Sequence, residues 1–183
     1  YSILPTATHY CRNAIFSGLL PIDIEKKFKA EWKNDDDEGG KNLHEETFMR
    51  AHLAKLKKDD LRVGYHKIVN HADAQQLLAN MHNLLQNDLS VIVYNFVDML
   101  SHARTEMEVL KELASDESSY RSLTKSWFEH SPLFQALKKI ADKKIKIVLA
   151  TDHGSVRVNT PNKIVGDKQT TANLRYKHGR NLD

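Results

Sequence analysis

Two aspartate–histidine pairs and one threonine are the side chains of this sequence best suited to chemistry. Asp98 and His102 lie four residues apart, Asp152 and His153 are adjacent, and Thr8 comes just before a helix-like segment. Carboxylate and imidazole together form a ligand set for zinc, with manganese and iron as competitors. A threonine hydroxyl becomes a useful nucleophile when a metal ion removes its proton. The residue types therefore predict a metal site with a hydroxyl nucleophile.

Each of these groups follows a short apolar segment that predicts a buried parallel strand. The segments are Ser2–Leu4, Leu89–Val97 and Ile145–Ala150. Ligands of open α/β sheets bind beyond the carboxyl ends of the strands, so we expect the three strand ends to meet at one rim. Asp98 and His102 would reach one ion if the turn between them folds back. The adjacent pair at 152–153 would do so only where the strand has ended, and Gly154 supplies that freedom.

The remaining segments alternate between strand and helix patterns. A fourth strand, at Leu61–Val69, has one wetter face, and helices are predicted at Asp73–Gln86, at Thr105–Leu113 and after Ser131-Pro132. This alternation predicts an α/β fold with a mostly parallel sheet and helices on both faces.

The stretch from Pro21 to Asp60 interrupts this alternation. Its apolar residues recur at helical spacing on either side of an acidic, glycine-containing run, Asn34–Gly40. We interpret the stretch as a helical insert near the site, with the acidic run as an exposed loop.

The composition is that of an ordinary globular protein, and it excludes several classes of protein and of metal site. Of the 183 residues, 40% are hydrophobic and 28% charged, and no apolar run has the length of a membrane span. The single Cys11 excludes a disulfide framework and a cysteine-based zinc cluster, and it favours a reducing, cytoplasmic setting. A net charge of +3 is too small to indicate nucleic-acid binding by itself.

Structural roles compete with the catalytic ones at every position. Aspartate at a strand end often caps a helix, and a single histidine is more often a satisfied polar residue than a ligand. Thr8 is equally well suited to cap the predicted helix from Tyr10 to Leu19, whose N-terminus would otherwise favour a phosphoryl oxyanion. Arg12 and Asn13 would add hydrogen-bond donors for the non-bridging oxygens.

Together the motifs resemble those of a known family. The segment Leu4–Leu19, the pair Asp98-x3-His102, and the motifs Ala150–Gly154 and Gly166–Lys168 are similar to the PglZ domain of the alkaline phosphatase superfamily. The residue sequence of these motifs is most similar to that of the output domain of PorX-type response regulators of type IX secretion. The resemblance covers most of the chain and is weakest in the insert.

The resemblance implies an alkaline phosphatase-like fold and assigns roles to the motif residues. Thr8 would attack phosphorus, and water would hydrolyse the phospho-enzyme; two zinc ions, with manganese as an alternative, would bracket the attacking and leaving oxygens. Thr8, Asp152 and His153 would hold one ion, and Asp98 and His102 the other. Arg12 and Asn13 match the family pattern after the nucleophile, which implies a phosphate-binding role.

The resemblance also implies ligands that the sequence does not match. An aspartate would precede Tyr1 and a histidine would follow Asp183, with His178 as a substitute that comes too early. Because the chain starts with Tyr1 in an apolar segment and has a polar end, we expect residues 1–183 to be a partial PglZ domain truncated at both ends.

Three functions remain open from the sequence. The first is a zinc-dependent phosphodiesterase acting on cyclic or linear oligonucleotides, or on a nucleotide diester, as a response-regulator output domain with secretion-system and sigma-factor partners and a homodimeric state. The second is a signalling module whose degenerate metal site binds without turnover. The third is a phosphomonoesterase, which differs from the first only in pocket shape.

Overall fold

The computed structural model describes residues 3, 6–35, 37–154, 160, 162–166 and 177. The chain divides into two compact units. The first combines Tyr1–Asp59 with Val148–Asp183, and the second consists of Asp60–Ile147. Of the predicted strand Ser2–Leu4, only Ile3 lies within the described residues, and Asp167, Lys168 and His178 lie outside them.

The first unit contains three helices among its described residues. These are α1 (Thr8–Ser17), α2 (Pro21–Lys27) and α3 (Glu45–Lys55), which confirms a helix near Thr8 and a helical character for Pro21–Asp60. Helix α1 ends at Gly18, whose φ of 63° is a left-handed conformation that glycine adopts without strain.

The predicted insert supplies much of the core of the first unit. Ile24 of α2, Trp32 and Phe48 of α3 are buried together with Ala14 of α1. A helix with an apolar stripe must bury that stripe against another element, and here α1 packs between the two helices of the insert. Helix α1, which begins at Thr8, is therefore positioned by the stretch that interrupts the strand–helix alternation.

The second unit begins with a parallel β–α–β arrangement. Strand β1 (Val63–Ile68) pairs in parallel with β2 (Leu89–Tyr94), with Val63 opposite Leu89 and Ile68 opposite Tyr94. The connection contains α4 (His71–Ala79) and α5 (Met81–Leu84).

Helix α4 starts with reciprocal caps. The Asn70 side chain accepts from the N–H of Asp73 at 2.9 Å, and the Asp73 carboxylate accepts from the N–H of Val69 at 3.1 Å. Ala74 and Leu77 of this helix then bury themselves against Ile68 of β1.

Four further helices complete the second unit as described. They are α6 (Phe96–Glu106), α7 (Glu108–Leu113), α8 (Glu117–His130) and α9 (Pro132–Ile140). The helix predicted after Ser131-Pro132 is confirmed, with the Ser131 hydroxyl accepting from the N–H of Phe134. Helix α8 was not predicted; its Trp127 stacks on Phe96 with ring centroids 3.6 Å apart.

The predicted strand Ile145–Ala150 is wrong. Residues 144–150 have no regular secondary structure, and Val148 and Leu149 are 88% and 92% exposed. A β-branched apolar segment becomes a strand only where a neighbouring backbone completes its hydrogen bonds, and the sheet in the described residues pairs β1 with β2 alone. The mostly parallel sheet expected from the sequence is thus parallel but far smaller than predicted, and helices predominate.

Three boundaries also differ from the predictions. Strand β2 ends at Tyr94, before the predicted Val97, because α6 already begins at Phe96. The helix predicted over Asp73–Gln86 is interrupted at Asn80. The one predicted over Thr105–Leu113 is interrupted at Met107, whose extended backbone (φ −104°, ψ 119°) separates α6 from α7. Within the described residues, no helix has both the length and the apolar character needed to cross a membrane.

Candidate active site

Thr8 is the first residue of α1, and its hydroxyl contacts a histidine far away in the sequence. The cap of the helix is Ala7, which provides no side-chain hydrogen bond. Thr8 therefore does not have the capping role that competed with the catalytic one. Instead, its Oγ1 lies 3.0 Å from Nε2 of His153.

The surroundings of Nδ1, the other ring nitrogen of His153, indicate whether Thr8 or His153 donates in the contact between Oγ1 and Nε2. Nδ1 lies 3.0 Å from the carbonyl oxygen of Gly154, which can only accept, so Nδ1 carries the ring proton in the neutral imidazole. Nε2 is then an acceptor, and the Thr8 hydroxyl donates to it. A hydroxyl that donates to an imidazole nitrogen at this distance has the geometry of a nucleophile next to its base.

Asp152 brings a carboxylate to the same histidine. Its Oδ1 accepts from the backbone N–H of His153 at 3.1 Å, and its Oδ2 lies 3.7 Å from His153 Nε2. Both side chains are largely shielded, with 18% of Asp152 and 15% of His153 exposed. The adjacent residues share one side of the backbone because no strand forms at 144–150, so the alternation of strand faces does not apply.

The three groups fit the coordination shell of one zinc ion. Two ligands at about 2.05 Å from a tetrahedral ion lie about 3.3 Å from each other. The separations from Nε2 of His153, 3.0 Å to Thr8 Oγ1 and 3.7 Å to Asp152 Oδ2, bracket that value. The bond from Nδ1 to the Gly154 carbonyl leaves Nε2 as the ligand atom, as is usual for zinc-bound histidine. The described residues contain no group of three or more His, Cys, Asp or Glu side chains arranged for a metal, so an ion held here would use the hydroxyl as its third donor.

Asp98 and His102 form a second pair, which belongs to the second unit. Both lie on α6, where a separation of four residues is one helical turn, so no special turn is needed to bring them together. Asp98 Oδ1 is 3.6 Å from His102 Nε2, and 45% and 62% of the two side chains are exposed. The cap of this helix is Asn95, so Asp98 is not the capping residue.

Arg12 and Asn13 are engaged inside the first unit. The Nε of Arg12 donates to Oε1 of Glu45, whose side chain is 1% exposed. The Asn13 amide donates to the Lys41 carbonyl at 3.0 Å and accepts from Asn42 at 3.2 Å. A phosphate-binding role for Asn13 would require these buried bonds to break.

Sequence patterns did not reveal the partners of the residues that follow Thr8. His9 and Tyr10 both contact Asp35, which belongs to the acidic run predicted as an exposed loop. Asp37 and Glu38 are exposed as predicted, but the side chain of Asp35 is only 12% exposed. Burial lowers the pKa of His9, Asp35 opposes that shift, and Lys41 adds to it. The only sequence signal for this inward orientation is the position of His9 and Tyr10 relative to the apolar residues of the predicted helix.

Comparison with known proteins gives one family match. A family model described as the BREX system PglZ alkaline phosphatase-like domain matches residues 1–183. No curated protein matches the chain.

Proposed function

Because the chain belongs to the PglZ family of alkaline phosphatase-like domains, we propose that it hydrolyses phosphate esters with Thr8 as the nucleophile. The family match indicates a phosphoesterase-type fold over all residues 1–183.

The observation that carries the proposal is the hydrogen bond from Thr8 to His153. A solvent-exposed threonine hydroxyl has no reason to be reactive, whereas this one donates to a largely shielded imidazole nitrogen at 3.0 Å. A module that only binds would need no hydroxyl aimed at an imidazole. This contact favours the enzyme over the binding-only alternative.

The proposed reaction has two displacements at phosphorus. In the first, the Thr8 hydroxyl loses its proton to solvent, the bond from Oγ1 to phosphorus forms, the ester bond breaks, and the released alkoxide takes up a proton from solvent. In the second, water attacks the phosphothreonine, the Oγ1–phosphorus bond breaks, and the Thr8 hydroxyl is restored. The sum is a diester plus water giving a monoester plus an alcohol. In the absence of a metal ion, the Thr8 hydroxyl donates to Nε2 of His153. A zinc ion bound to Nε2 would take the lone pair of that nitrogen and would itself favour loss of the hydroxyl proton.

Five residues are the proposed metal ligands. Thr8, Asp152 and His153 would hold one zinc ion, and Asp98 and His102 would hold a second, with manganese as an alternative. A bound divalent ion lowers the pKa of a coordinated hydroxyl and balances charge on the phosphoryl oxygens.

The first turn of α1 supplies further groups that would bind the phosphoryl group. Thr8 is the first residue of the helix, where N–H groups without intrahelical partners favour an anionic phosphoryl group. Arg12 lies one turn further along the same face, and its bond to Glu45 orients the guanidinium. We assign Arg12 to phosphate binding, and Asn13 to support of the site through the segment at Lys41 and Asn42.

The substrate class we propose is a phosphodiester, cyclic or linear, of nucleotide or oligonucleotide type. This choice, like a role as the output domain of a response regulator in type IX secretion, rests on the motif resemblance to PorX-type domains. A phosphomonoester substrate is the alternative within the same chemistry.

Metal analysis together with two chromogenic substrates tests the proposal. Purified protein should contain zinc and should hydrolyse bis-p-nitrophenyl phosphate faster than p-nitrophenyl phosphate. A faster monoester reaction would replace the diesterase by a phosphatase. Protein that holds no metal and hydrolyses neither substrate, yet still binds a nucleotide, would establish the binding-only function.

A further inference from the structure

The two residues that follow the nucleophile share one carboxylate. His9 and Tyr10 are the second and third residues of α1, directly after Thr8. His9 Nδ1 lies 3.5 Å from Oδ1 of Asp35, and the Tyr10 hydroxyl donates to Oδ2 of Asp35 at 3.1 Å. Both oxygens of Asp35 therefore face the first turn of the helix that carries Thr8.

The loop that presents Asp35 is itself well anchored. Trp32 is buried, and its indole N–H donates to the Asn34 side chain at 2.9 Å. The N–H of Asn34 donates to the Asp37 carboxylate at 2.6 Å, which shapes the turn around Asp35. The Trp32 ring also lies 5.9 Å from the ring of His9, centroid to centroid. Asp35 is thus attached to the core of the unit and not to a solvated loop.

The burial of His9 is difficult to explain by packing alone. Its side chain is 8% exposed, and its Nε2 is buried without a hydrogen-bond partner in the part of the chain that the structure describes. A buried polar atom with no partner costs about 1–3 kcal/mol, a cost that an apolar residue would avoid. The contact of the other ring nitrogen, Nδ1, with Asp35 is the interaction that an apolar residue would lose. A carboxylate next to Nδ1 also favours the tautomer in which Nδ1 carries the proton.

We propose that Asp35 is a positioning residue for Thr8, acting through His9 and Tyr10. This inference rests on the proposed function, since it assigns a task to residues beside the proposed nucleophile. By holding the first turn of α1 at two consecutive residues, Asp35 defines where the Thr8 hydroxyl lies relative to His153. Displacement of a reacting group by about 1 Å lowers the rate about 100-fold.

Steady-state kinetics with Asp35→Ala, Asp35→Asn and Glu38→Gln tests the positioning role. We expect Asp35→Ala to lower kcat for bis-p-nitrophenyl phosphate about 100-fold with KM within about twofold, because substrate binding does not use Asp35. Asp35→Asn keeps an acceptor for Tyr10, so its kcat should be at least about tenfold higher than that of Asp35→Ala. Glu38→Gln removes the same charge from an exposed position of the same loop and should leave kcat unchanged. An unchanged kcat in Asp35→Ala, or an equal loss in Glu38→Gln, would overturn the proposal.

A spectroscopic measurement separates this inference from the proposed function. Nitrogen chemical shifts of the imidazoles should place the His9 proton on Nδ1 in the unmodified chain and move it in Asp35→Ala, whether or not the protein is an esterase. If the unmodified chain is inactive but His9 responds in this way, the contact is real and the proposed function has failed. If His9 does not respond, the inference fails even in an active enzyme. Should Asp35→Ala not fold, Tyr10→Phe removes only the hydroxyl bond, and it should lower kcat by about threefold or more at constant KM; no change would count against the proposal.

Discussion

The Thr8 hydroxyl donates to Nε2 of His153 across 3.0 Å, although 145 residues separate the two in the sequence. The helix start places the hydroxyl, and the Gly154 carbonyl turns the imidazole so that its lone pair faces Thr8. The Asp152 carboxylate lies on the same nitrogen at 3.7 Å. The arrangement places a hydroxyl, an imidazole and a carboxylate in one largely shielded group.

Replacement of the nucleophile should abolish turnover without unfolding the chain. Thr8→Ala removes the only atom that can form the bond to phosphorus, so we expect kcat for bis-p-nitrophenyl phosphate to fall by at least about 10³-fold. Thr47→Ala, an exposed threonine on α3, is the matched control and should retain full activity. Trapping of phosphate on Thr8 by rapid acid quench and mass spectrometry would check the intermediate. Diesterase activity that survives in Thr8→Ala would disprove the assignment.

The number of zinc ions per chain in ligand variants should show which residues hold which ion. Asp152→Asn or His153→Gln should remove one zinc ion per chain, and Asp98→Asn or His102→Gln the other, with each change weakening affinity by at least about 100-fold. His130→Gln, an exposed histidine on α8, controls for non-specific binding and should leave the zinc content unchanged. A chelator should abolish activity, and added zinc should restore it. Equal zinc content in all variants would contradict the ligand set.

The ion pair between Arg12 and Glu45 should contribute strongly to stability. Glu45 is 1% exposed, and removing one partner of a buried pair costs about 3–5 kcal/mol because the other charge loses its partner. We expect Glu45→Ala to lower the free energy of unfolding in urea by about that amount. Glu46→Ala breaks the exposed pair with Arg50 on the same helix and should cost about 1 kcal/mol or less. Similar losses of unfolding free energy in the two variants would show that the burial of Glu45 adds nothing to the stability that its ion pair contributes.

Stability of the metal-free chain should fall on mild acidification. Burial lowers the pKa of His9 below the ordinary histidine value of 6.5, so the unfolded chain takes up a proton at a higher pH than the folded chain does. The contribution of His9 is fully present above pH 6.5 and is lost as pH falls from there through its lower folded pKa. Urea denaturation at several pH values should record this loss.

A non-titrating variant isolates the contribution of His9. His9→Gln should flatten the pH dependence of stability between neutral pH and the folded pKa, whereas His82→Gln, at an exposed position, should not. Parallel curves for His9→Gln and the unmodified chain would assign the acid sensitivity to other groups.

Local patterns predicted those parts of the fold that depend on neighbours in sequence. The strand at Leu61–Val69 is β1, the capped start after Ser131 is α9, and the helical spacing of Pro21–Asp60 gives α2 and α3. Ile145–Ala150 was mistaken for a strand because apolar, β-branched composition does not say whether a partner strand exists. Helix α8 was missed although Tyr120, Leu123, Trp127 and Phe128 recur at helical spacing, so periodicity could have predicted it.

The candidate site was predictable at the level of residue type and only partly at the level of geometry. The motifs around Thr8 and His153 suggested a shared site, and the two residues are in contact. The tautomer of His153 depends on a single carbonyl at Gly154, and the burial of Asp35 depends on tertiary packing around Trp32. Neither leaves a mark in the sequence that periodicity or spacing could detect. The roles of Asp98 and His102 remain predictions.

The unit that holds Thr8 is assembled from Tyr1–Asp59 and Val148–Asp183, with the β–α–β unit encoded between them. During synthesis on the ribosome, the 145 residues from His9 to His153 take roughly 7–30 s to polymerise at about 5–20 residues per second. Throughout that interval the nascent polypeptide carries the hydroxyl but not the imidazole that accepts its proton. The contact between Thr8 and His153, and any activity that depends on it, therefore cannot form until synthesis has passed the middle portion and reached His153.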